Sequence, residues 1–324
     1  MSIQTALTKR LGIRHPVLLA PMDVVADASL ASAVSGAGGL GILGGGYGDA
    51  AWLEREIARI KETQVRFGIG FITWSLAKQP RLLDLALESG PAAVMLSFGD
   101  AAPFAEPIKR SGAALICQVQ TIDMAREAAS VGADILVAQG TEAGGHGATR
   151  STLTLVPELI DAIGPDVPVV AAGGIADGRG LAAALMLGAS GVLMGTRFYA
   201  TKEAAIAAEA KARVQRAAGD ETARGVVFDI ARKRVWPPPF TGRCLRNEFL
   251  ERWSGRELEL VRRAEQEHAG YLAAREAGNF DIAAVIAGEA VGLVRDIPSA
   301  REVVARVSQE AEALLKGATQ RLSE

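Results

Sequence analysis

Short apolar runs alternate with longer amphipathic stretches along the first two thirds of the chain. The apolar runs lie at residues 15–22, 40–45, 66–73, 92–99, 114–119, 133–140, 167–174 and 191–198. Most of them contain a continuous apolar segment rather than a strict alternation of apolar and polar residues. Strands that are buried on both faces, as in parallel sheets, have this pattern. The sequence therefore predicts eight parallel strands.

Stretches with helical spacing of apolar residues separate these runs, as at 51–63, 82–90, 121–132 and 178–189. A doubly wound sheet typically has five or six strands, whereas eight similar strand–helix units favour closure into a barrel. The predicted fold class is therefore α/β, with a (βα)8 TIM barrel formed by residues 1–205 together with 295–324.

The pattern changes after the eighth predicted strand. Residues 201–218 form a charged, Ala-rich stretch that predicts a helix, and the three prolines at 237–239 predict an extended turn. We interpret residues 206–294 as a helical lid or substrate domain across the barrel mouth. Ser299 is predicted to cap a final helix that returns to the barrel wall. The apolar stripe of that helix comprises Val303, Val304, Val307, Ala311, Leu314 and Leu315.

Composition and charge exclude several function classes. The 324 residues include 35 basic and 37 acidic side chains, so charge gives no case for binding nucleic acid or an anionic membrane. Two cysteines and three histidines favour neither a disulfide framework nor a structural zinc site, and no metal is expected. The start of the chain lacks the apolar segment of an export signal, and no apolar run approaches membrane-spanning length. We expect a cytoplasmic enzyme.

Glycine-containing turns follow the seventh and eighth predicted strands. Gly173 and Gly174 follow one strand, and Gly195 and Thr196 follow the next. Active sites of TIM barrels lie at the carboxyl ends of the strands, often with a phosphate site after strands seven and eight. Backbone N–H groups at these glycines permit close approach of a phosphate, to which the helix beginning near Asp177 is expected to add its dipole. The pattern predicts a phosphate but does not name the molecule, and turns without a ligand are the alternative.

A glycine-rich loop at residues 138–147 follows the sixth predicted strand and contains His146. An imidazole in such a loop can exchange a proton near neutral pH, which makes His146 the candidate catalytic base. An exposed loop histidine without a role is the alternative. Glu142 is a second candidate acid or base, or a support for the loop. His15 and His268 lie at the opposite end of the barrel and in a polar helix, where no function is expected.

Four further side chains lie near the predicted strand ends. Met22 is suited to packing against an aromatic ring system, although a core role explains it equally well. Gln118 and Gln139 lie within apolar runs, and buried amides need partners, for which the heteroatoms of a ligand are one source. Cys117 raises the alternative of a cysteine nucleophile, but its position within a strand favours a packing role.

The motifs EAGGHG (142–147), AAGGIADGRG (171–180), LMGTRF (193–198) and WPPPFTGRCLRNEF (236–249) resemble the nitronate monooxygenase family, also known as 2-nitropropane dioxygenases. These enzymes are FMN-dependent (βα)8 barrels, and the resemblance covers nearly the whole chain. Related NADH:quinone reductases and FMN-type enoyl-acyl-carrier-protein reductases share these motifs. The motifs therefore identify the cofactor better than the substrate.

The resemblance implies that FMN is the cofactor and that His146 is the catalytic base near the flavin ring. It implies FMN binding by Ala20, Pro21, Met22, Gln118, Gln139, Gly144, Gly145, Ala172, Gly173, Gly174, Gly195 and Thr196. The chain departs from many relatives at Asp23, where a small residue is common, and at Gly70, where asparagine is common. Both departures affect the expected substrate side of the flavin.

The leading hypothesis is FMN-dependent oxidation of alkyl nitronates or nitroalkanes by O2 to a carbonyl compound and nitrite. NAD(P)H-dependent reduction of quinones or enoyl thioesters is the alternative enzymatic function. A flavin-binding or metabolite-sensing protein without turnover is a third hypothesis. The expected partners are a small-molecule substrate and O2, without nucleic acid or membrane, and a homo-oligomer is left open.

Overall fold

A closed eight-stranded parallel sheet forms the centre of the computed structural model, which describes residues 3–318. Its strands are β1 (Val17–Leu19), β2 (Gly41–Gly44), β3 (Phe67–Ile72), β4 (Ala93–Ser97), β5 (Ala114–Val119), β6 (Ile135–Gln139), β8 (Val169–Ala172) and β9 (Gly191–Met194). They hydrogen-bond in the order β1-β9-β8-β6-β5-β4-β3-β2, and a parallel bridge between Leu18 and Leu40 joins the first strand to the chain entering β2. The predicted TIM barrel is therefore confirmed.

Helices surround the barrel and form most of the C-terminal part of the described chain. The α-helices are α1 (Ala6–Leu11), α2 (Ala28–Gly36), α3 (Ala50–Glu62), α4 (Thr73–Leu76), α5 (Arg81–Glu88), α6 (Ala102–Arg110), α7 (Ile122–Ser130), α8 (Thr152–Ile163), α9 (Gly178–Met186), α10 (Thr196–Tyr199), α11 (Ala208–Arg216), α12 (Val227–Ala231), α13 (Glu248–Trp253), α14 (Glu257–Arg262), α15 (Ala264–Glu276) and α16 (Ala300–Gly317). Short 3₁₀ helices occupy Asp23–Val25, Gly219–Glu221 and Glu289–Leu293. None of the helices within residues 3–318 is long and apolar enough to cross a membrane.

The strands are apolar on both faces because two cores lie against them. Leu18, Met95 and Val137 belong to a core inside the barrel. Leu19 and Val94, from alternate positions of the same strands, belong to the core between the barrel and the helices. Side chains of a strand alternate between its two faces, so both sets of positions must be apolar. This is the physical reason for the continuous apolar runs.

The helix predicted at residues 201–218 is shorter in the structure, where α11 begins only at Ala208. The N–H groups of Lys202 and Ala205 donate instead to the carbonyls of Pro298 and Val25. Tertiary hydrogen bonds therefore replace helical ones in the first part of this stretch, which local sequence does not reveal.

The final helix has the predicted start and the predicted buried stripe. Ser299 Oγ accepts a hydrogen bond from the N–H of Glu302, whose carboxylate accepts one from the N–H of Ser299. This reciprocal capping box satisfies two N–H groups at the helix start. The buried face of α16, which includes Val303 and Val307, packs against α9 and α2.

A second sheet at the barrel mouth was not predicted. It has three antiparallel strands in the order β10-β11-β7, where β7 is Gly145–Gly147, β10 is Thr222–Gly225 and β11 is Thr241–Leu245. In the register of this sheet, His146 lies opposite Gly242. The sheet therefore joins the histidine loop to the C-terminal part of the chain.

Candidate active site

A cavity opens at the carboxyl ends of the barrel strands. Ten of the twelve predicted cofactor-binding residues line it: Ala20, Met22, Gln118, Gln139, Gly144, Ala172, Gly173, Gly174, Gly195 and Thr196. Pro21 and Gly145 do not line it. The other lining residues are Glu142, Ala143, Ile175, Leu193, Ile286 and Ala290. Residues that lie far apart in the sequence thus meet in one concave site.

Backbone rather than side chains forms one wall of the cavity. Gly173 and Gly174 have φ angles of 102° and 74°, which lie in the left-handed region that favours glycine. A Cβ atom at Gly173 would also lie 2.9 Å from Thr152 Oγ1. Both glycines are therefore required by the fold, and they leave room for a ligand to approach the main chain.

The start of helix α9 does not offer the N–H groups that we expected for a phosphate. The N–H of Gly178 donates to the carboxylate of Glu310, and the N–H groups of Arg179 and Gly180 donate to the N-cap Asp177. Carboxylates already satisfy these donors and would repel an anion. These contacts do not support the expected contribution of the helix dipole, which stays a prediction, because an acidic side chain from α16 reaches the helix start.

The two predicted amide side chains differ in what they offer a ligand. Gln139 accepts a hydrogen bond from Gln120 at 2.8 Å and donates to the carbonyl of His146 at 3.0 Å. Gln118 lines the cavity and makes no side-chain hydrogen bond within residues 3–318. Gln139 thus positions the histidine loop, whereas Gln118 has its amide available for a ligand.

Two arginines hold the loop that precedes His146. Arg224 from β10 donates to the carbonyls of Thr141, Ala143 and Gly145, and Arg243 from β11 also donates to the carbonyl of Thr141. Burial, together with the charge of the nearby Arg243, lowers the pKa of Arg224 to about 10. The C=O and N–H groups of one trans peptide unit point in opposite directions. Because these carbonyls point towards the two guanidinium groups, the N–H groups of the same peptide units point away from the two arginines.

Glu142 supports this loop rather than facing a reactant. Its two carboxylate oxygens accept hydrogen bonds from the N–H of Thr152 at 2.9 and 3.0 Å, and one also accepts from Thr152 Oγ1 at 2.8 Å. Of the two roles considered for Glu142, these contacts favour the structural one.

His146 is 8% exposed and lies beside the cavity without lining it. Its Nε2 atom is 2.9 Å from Oδ2 of Asp229, which is 4% exposed. Burial lowers the pKa of His146 below 6.5, although the hydrogen bond that Asp229 accepts opposes that shift. The Nδ1 atom has no hydrogen-bond partner among residues 3–318. The ring is therefore a neutral imidazole at pH 7 with one nitrogen held and the other available.

An aromatic cluster lies next to His146, and its ring in contact with the imidazole comes from residues 206–294. Trp236 stacks on the imidazole, with ring centroids 3.4 Å apart and an interplanar angle of 6°. The edges of Trp74 and Phe98 meet Trp236 at centroid distances of 5.3 and 5.1 Å, and its Nε1 donates to the Tyr47 hydroxyl. Aromatic rings therefore cover one face of the imidazole, whereas its Nε2 edge meets the carboxylate of Asp229.

The two departures noted in the sequence, Gly70 and Asp23, lie near the ends of β3 and β1. A Cβ atom at Gly70 would lie 2.4 Å from the Cβ of Pro21, so a larger residue there requires Pro21 to move. Asp23 has a φ of 29°, and burial raises its pKa despite the opposing charge of Arg275. Pro21 thus acts at this strand end by packing against β3.

The remaining predicted side chains have structural environments. Cys117 is buried, and burial raises its pKa to about 12, so both observations favour a packing role over that of a cysteine nucleophile. His15 follows Arg14 at the opposite end of the barrel and accepts a hydrogen bond from it. His268 lies in α15, with Nδ1 2.8 Å from the carbonyl of Ala231.

Sequence reasoning missed Asp229, Trp236 and Arg224. Asp229 interrupts the apolar run at 226–230. A carboxylate buried with such a run requires a polar or charged partner, and this was the available signal. Nothing in the sequence connects Arg224 with residues 141–145, because their contact depends on the unpredicted second sheet.

The sequence profile described as nitronate monooxygenase matches residues 4–81 and 72–310. The nitronate monooxygenase npaC of Metarhizium robertsii is 35% identical to this chain, over 92% of the chain and 91% of that protein.

A second relative is the (3aS,4S,5R,7aS)-5-hydroxy-7a-methyl-1-oxo-octahydro-1H-indene-4-carboxyl-CoA dehydrogenase of Mycobacterium tuberculosis. It is 37% identical over 86% of this chain and 74% of that enzyme. Among solved structures, FabK from Thermotoga maritima superimposes with a TM-score of 0.88 and 29% identity, covering 99% of this chain and 100% of FabK. The similarity therefore extends over both the barrel and the C-terminal segment.

Proposed function

Because the chain belongs to the nitronate monooxygenase family and is an oxidoreductase, we propose that it oxidises alkyl nitronates or nitroalkanes with O2. The products would be a carbonyl compound and nitrite, with FMN as cofactor. The observation that carries this proposal is the neutral, buried His146, whose Nδ1 has no partner among residues 3–318 and whose loop walls the cavity.

The cavity residues fit a flavin mononucleotide. Gly173, Gly174, Gly195 and Thr196 would hold the phosphate, and the unpaired amide of Gln118 would meet a polar atom of the ring or ribityl chain. The thioether of Met22 is suited to packing against the ring. When bound, FMN would accept two electrons from the substrate and pass them to oxygen.

His146 would take the proton from the carbon next to the nitro group when the neutral nitroalkane is the substrate. A base must be unprotonated to act, so activity on nitroalkanes should fall as the pH drops through the pKa of His146. Burial lowers that pKa below 6.5, so the base remains unprotonated at pH 7. A preformed nitronate has already lost this proton and does not need the base.

We propose that residues 206–294 act as a substrate lid. Trp236, from this segment, covers the imidazole and is packed in turn against Trp74 and Phe98. Apolar rings around the base exclude water and favour an alkyl chain over a polar one. The preferred substrates would therefore be nitronates with an apolar side chain.

The test is the variant H146N, assayed with a nitroalkane and with its preformed nitronate. General-base catalysis typically contributes about 10²–10⁴-fold, so we expect a loss of this size for the nitroalkane and a much smaller loss for the nitronate. H15N is the matched control, because it makes the same change at the other end of the barrel. Equal losses on both substrates would remove His146 from this role.

A visible spectrum tests the cofactor separately. We expect the purified protein to show the bands of oxidised flavin and to release FMN on heating. A protein that binds no flavin under reconstitution would contradict the cofactor assignment, independently of the choice of substrate.

The similarity to the mycobacterial dehydrogenase favours a second candidate, redox chemistry on a thioester. The name of that enzyme describes action on a carboxyl-CoA compound, and the carbon next to a thioester carbonyl also carries an acidic proton. Anaerobic mixing of the flavin-loaded protein with NADH, NADPH, a nitronate and an acyl-CoA separates the candidates. Rapid bleaching of the flavin by NADH or NADPH would favour the reductase function. Bleaching of the flavin by the nitronate alone would favour the monooxygenase function.

A further inference from the structure

Asp229 lies in helix α12, which brings it to the imidazole of a residue 83 positions earlier in the sequence. Its Oδ2 is 2.9 Å from His146 Nε2, and its Oδ1 accepts a hydrogen bond from Arg232 Nη2 at 2.8 Å. Both side chains of the His146–Asp229 pair are less than a tenth exposed. The two oxygens of the carboxylate are thus each committed to a different partner within the protein.

This contact determines which ring nitrogen carries the hydrogen. A carboxylate paired with a guanidinium only accepts hydrogen bonds, so the His146 Nε2 must donate. In the neutral ring, Nδ1 then carries the lone pair. Since Nδ1 has no partner among residues 3–318, this lone pair is the one that a substrate proton would meet.

The ring is fixed in orientation as well as in tautomer. Trp236 lies parallel to one face of His146, and Gln139 holds the backbone carbonyl of the same residue. Arg232 is anchored in turn, because its Nε donates to the carbonyl of Phe228 at 3.1 Å. The chain of contacts Arg232–Asp229–His146 therefore runs from a helix of the C-terminal segment to the base.

We propose that Asp229 is a positioning residue that holds His146 in the Nε2–H tautomer and so makes Nδ1 the base. The inference deepens the proposed function and rests on it for the catalytic consequence. Asp229 neither contacts the substrate nor takes the proton. The proton moves from the substrate carbon to Nδ1, and the carboxylate stabilises the imidazolium that results.

The other two histidines provide an internal reference for the tautomer. His268 Nδ1 faces the carbonyl of Ala231, which can only accept, so its Nδ1 must donate. His15 Nε2 accepts from Arg14 Nε at 3.2 Å, so its hydrogen lies on Nδ1. Of the three histidines in the chain, only His146 is expected as Nε2–H.

The first test is nitrogen NMR of the full-length, flavin-loaded protein labelled with ¹⁵N-histidine, at a pH where the rings are neutral. H146N assigns the His146 signals. We expect His146 to show a protonated Nε2 and an unprotonated Nδ1, opposite to His268. A His146 ring that is protonated on Nδ1 would overturn the proposal, whatever the substrate of the enzyme proves to be.

The second test is D229N, with D296N as the matched control. In D229N the carbonyl of the new amide would face Arg232, so its NH2 group would face His146 Nε2 and force the hydrogen onto Nδ1. Like Asp229, Asp296 is a carboxylate that bridges two side chains, in its case Arg197 and Arg306. It is not in contact with the base. We expect the tautomer of His146 to switch in D229N and to stay unchanged in D296N.

The activity of D229N should follow the tautomer. We expect kcat/KM for the neutral nitroalkane to fall by about 10²–10⁴-fold, with a much smaller change for the preformed nitronate. A D229N protein that keeps the Nε2–H tautomer and its nitroalkane activity would overturn the proposal. If D229N does not fold, the tautomer in the wild-type protein decides the question. If the wild-type protein oxidises neither substrate, the proposed function fails while the NMR result still decides the role of Asp229.

Discussion

Replacing Trp236 with alanine should change which substrates the enzyme prefers. The indole stacks on His146 and meets the edges of Trp74 and Phe98, so it occupies the apolar space next to the base. W236A removes this ring and leaves the other two aromatic side chains in place. We therefore expect a longer alkyl chain to bind where the indole lay.

The magnitude follows from the apolar surface that a longer substrate can bury. Each buried CH2 group is worth about 0.8 kcal/mol, which corresponds to roughly a fourfold change in kcat/KM. Four additional methylene groups in the space left by Trp236 would then contribute about 3 kcal/mol, or roughly 200-fold. The wild-type enzyme should gain much less from the same groups, because the indole already fills the space.

The assay is kcat/KM for straight-chain nitronates from ethyl to hexyl, measured for the wild type, W236A and W236F. We expect the logarithm of kcat/KM to rise more steeply with chain length in W236A than in the wild type. W236F is the control, because it keeps an aromatic ring on the imidazole. Parallel lines for W236A and the wild type would refute the assignment of this space to the substrate.

The same variant should shift the pH dependence of the base. Burial is the largest cause of the lowered pKa of His146, and Trp236 covers one face of the ring. W236A exposes that face, so the pKa of His146 should rise towards its usual value near 6.5. The acidic limb of the pH profile for nitroalkane oxidation should consequently move to higher pH.

Three further predictions concern the frame of the site. R224M removes the donors to the carbonyls of Thr141, Ala143 and Gly145. Each charge-assisted hydrogen bond is worth about 1.5–3 kcal/mol, so loss of these bonds should weaken FMN binding, measured by flavin fluorescence with R216M as control. G70A places a methyl group 2.4 Å from the Cβ of Pro21 and should lower the free energy of unfolding by about 1–3 kcal/mol. Urea titrations measure this change, and unchanged stability would contradict the packing argument. Burial raises the pKa of the Cys117 thiol to about 12, so this thiol should resist alkylation by iodoacetamide at pH 8 in the native protein. Rapid alkylation, seen by mass spectrometry, would show that the thiol is accessible.

Much of the barrel could be predicted because its physical causes are local or periodic. Strands such as β5 and β6 are buried on both faces, so their sequences are continuously apolar and identify them directly. The cap of α16 is likewise encoded within four residues, Ser299 to Glu302, because the side chains involved bond to neighbouring N–H groups. By contrast, residues 201–207 have helical composition but bond to distant carbonyls, and the prediction there was wrong.

The candidate site was predicted in part for a topological reason. Carboxyl ends of parallel strands meet at one end of a barrel, so residues at the carboxyl ends of β5, β6, β8 and β9 had to come together once the fold was assigned. The structure brings Gln118, Gly173 and Thr196 to one cavity. Their roles towards a flavin stay predictions.

The sequence by itself determined the barrel, the end of it that carries the site, and the loop that presents His146. Only the tertiary structure decided how that imidazole is held. Asp229, Trp236 and Arg224 come from a segment whose local pattern predicts helices and turns but not the sheet that docks it on the barrel mouth. Periodicity records which face of an element is buried, whereas hydrogen bonds between distant residues depend on a docking geometry that no local pattern encodes.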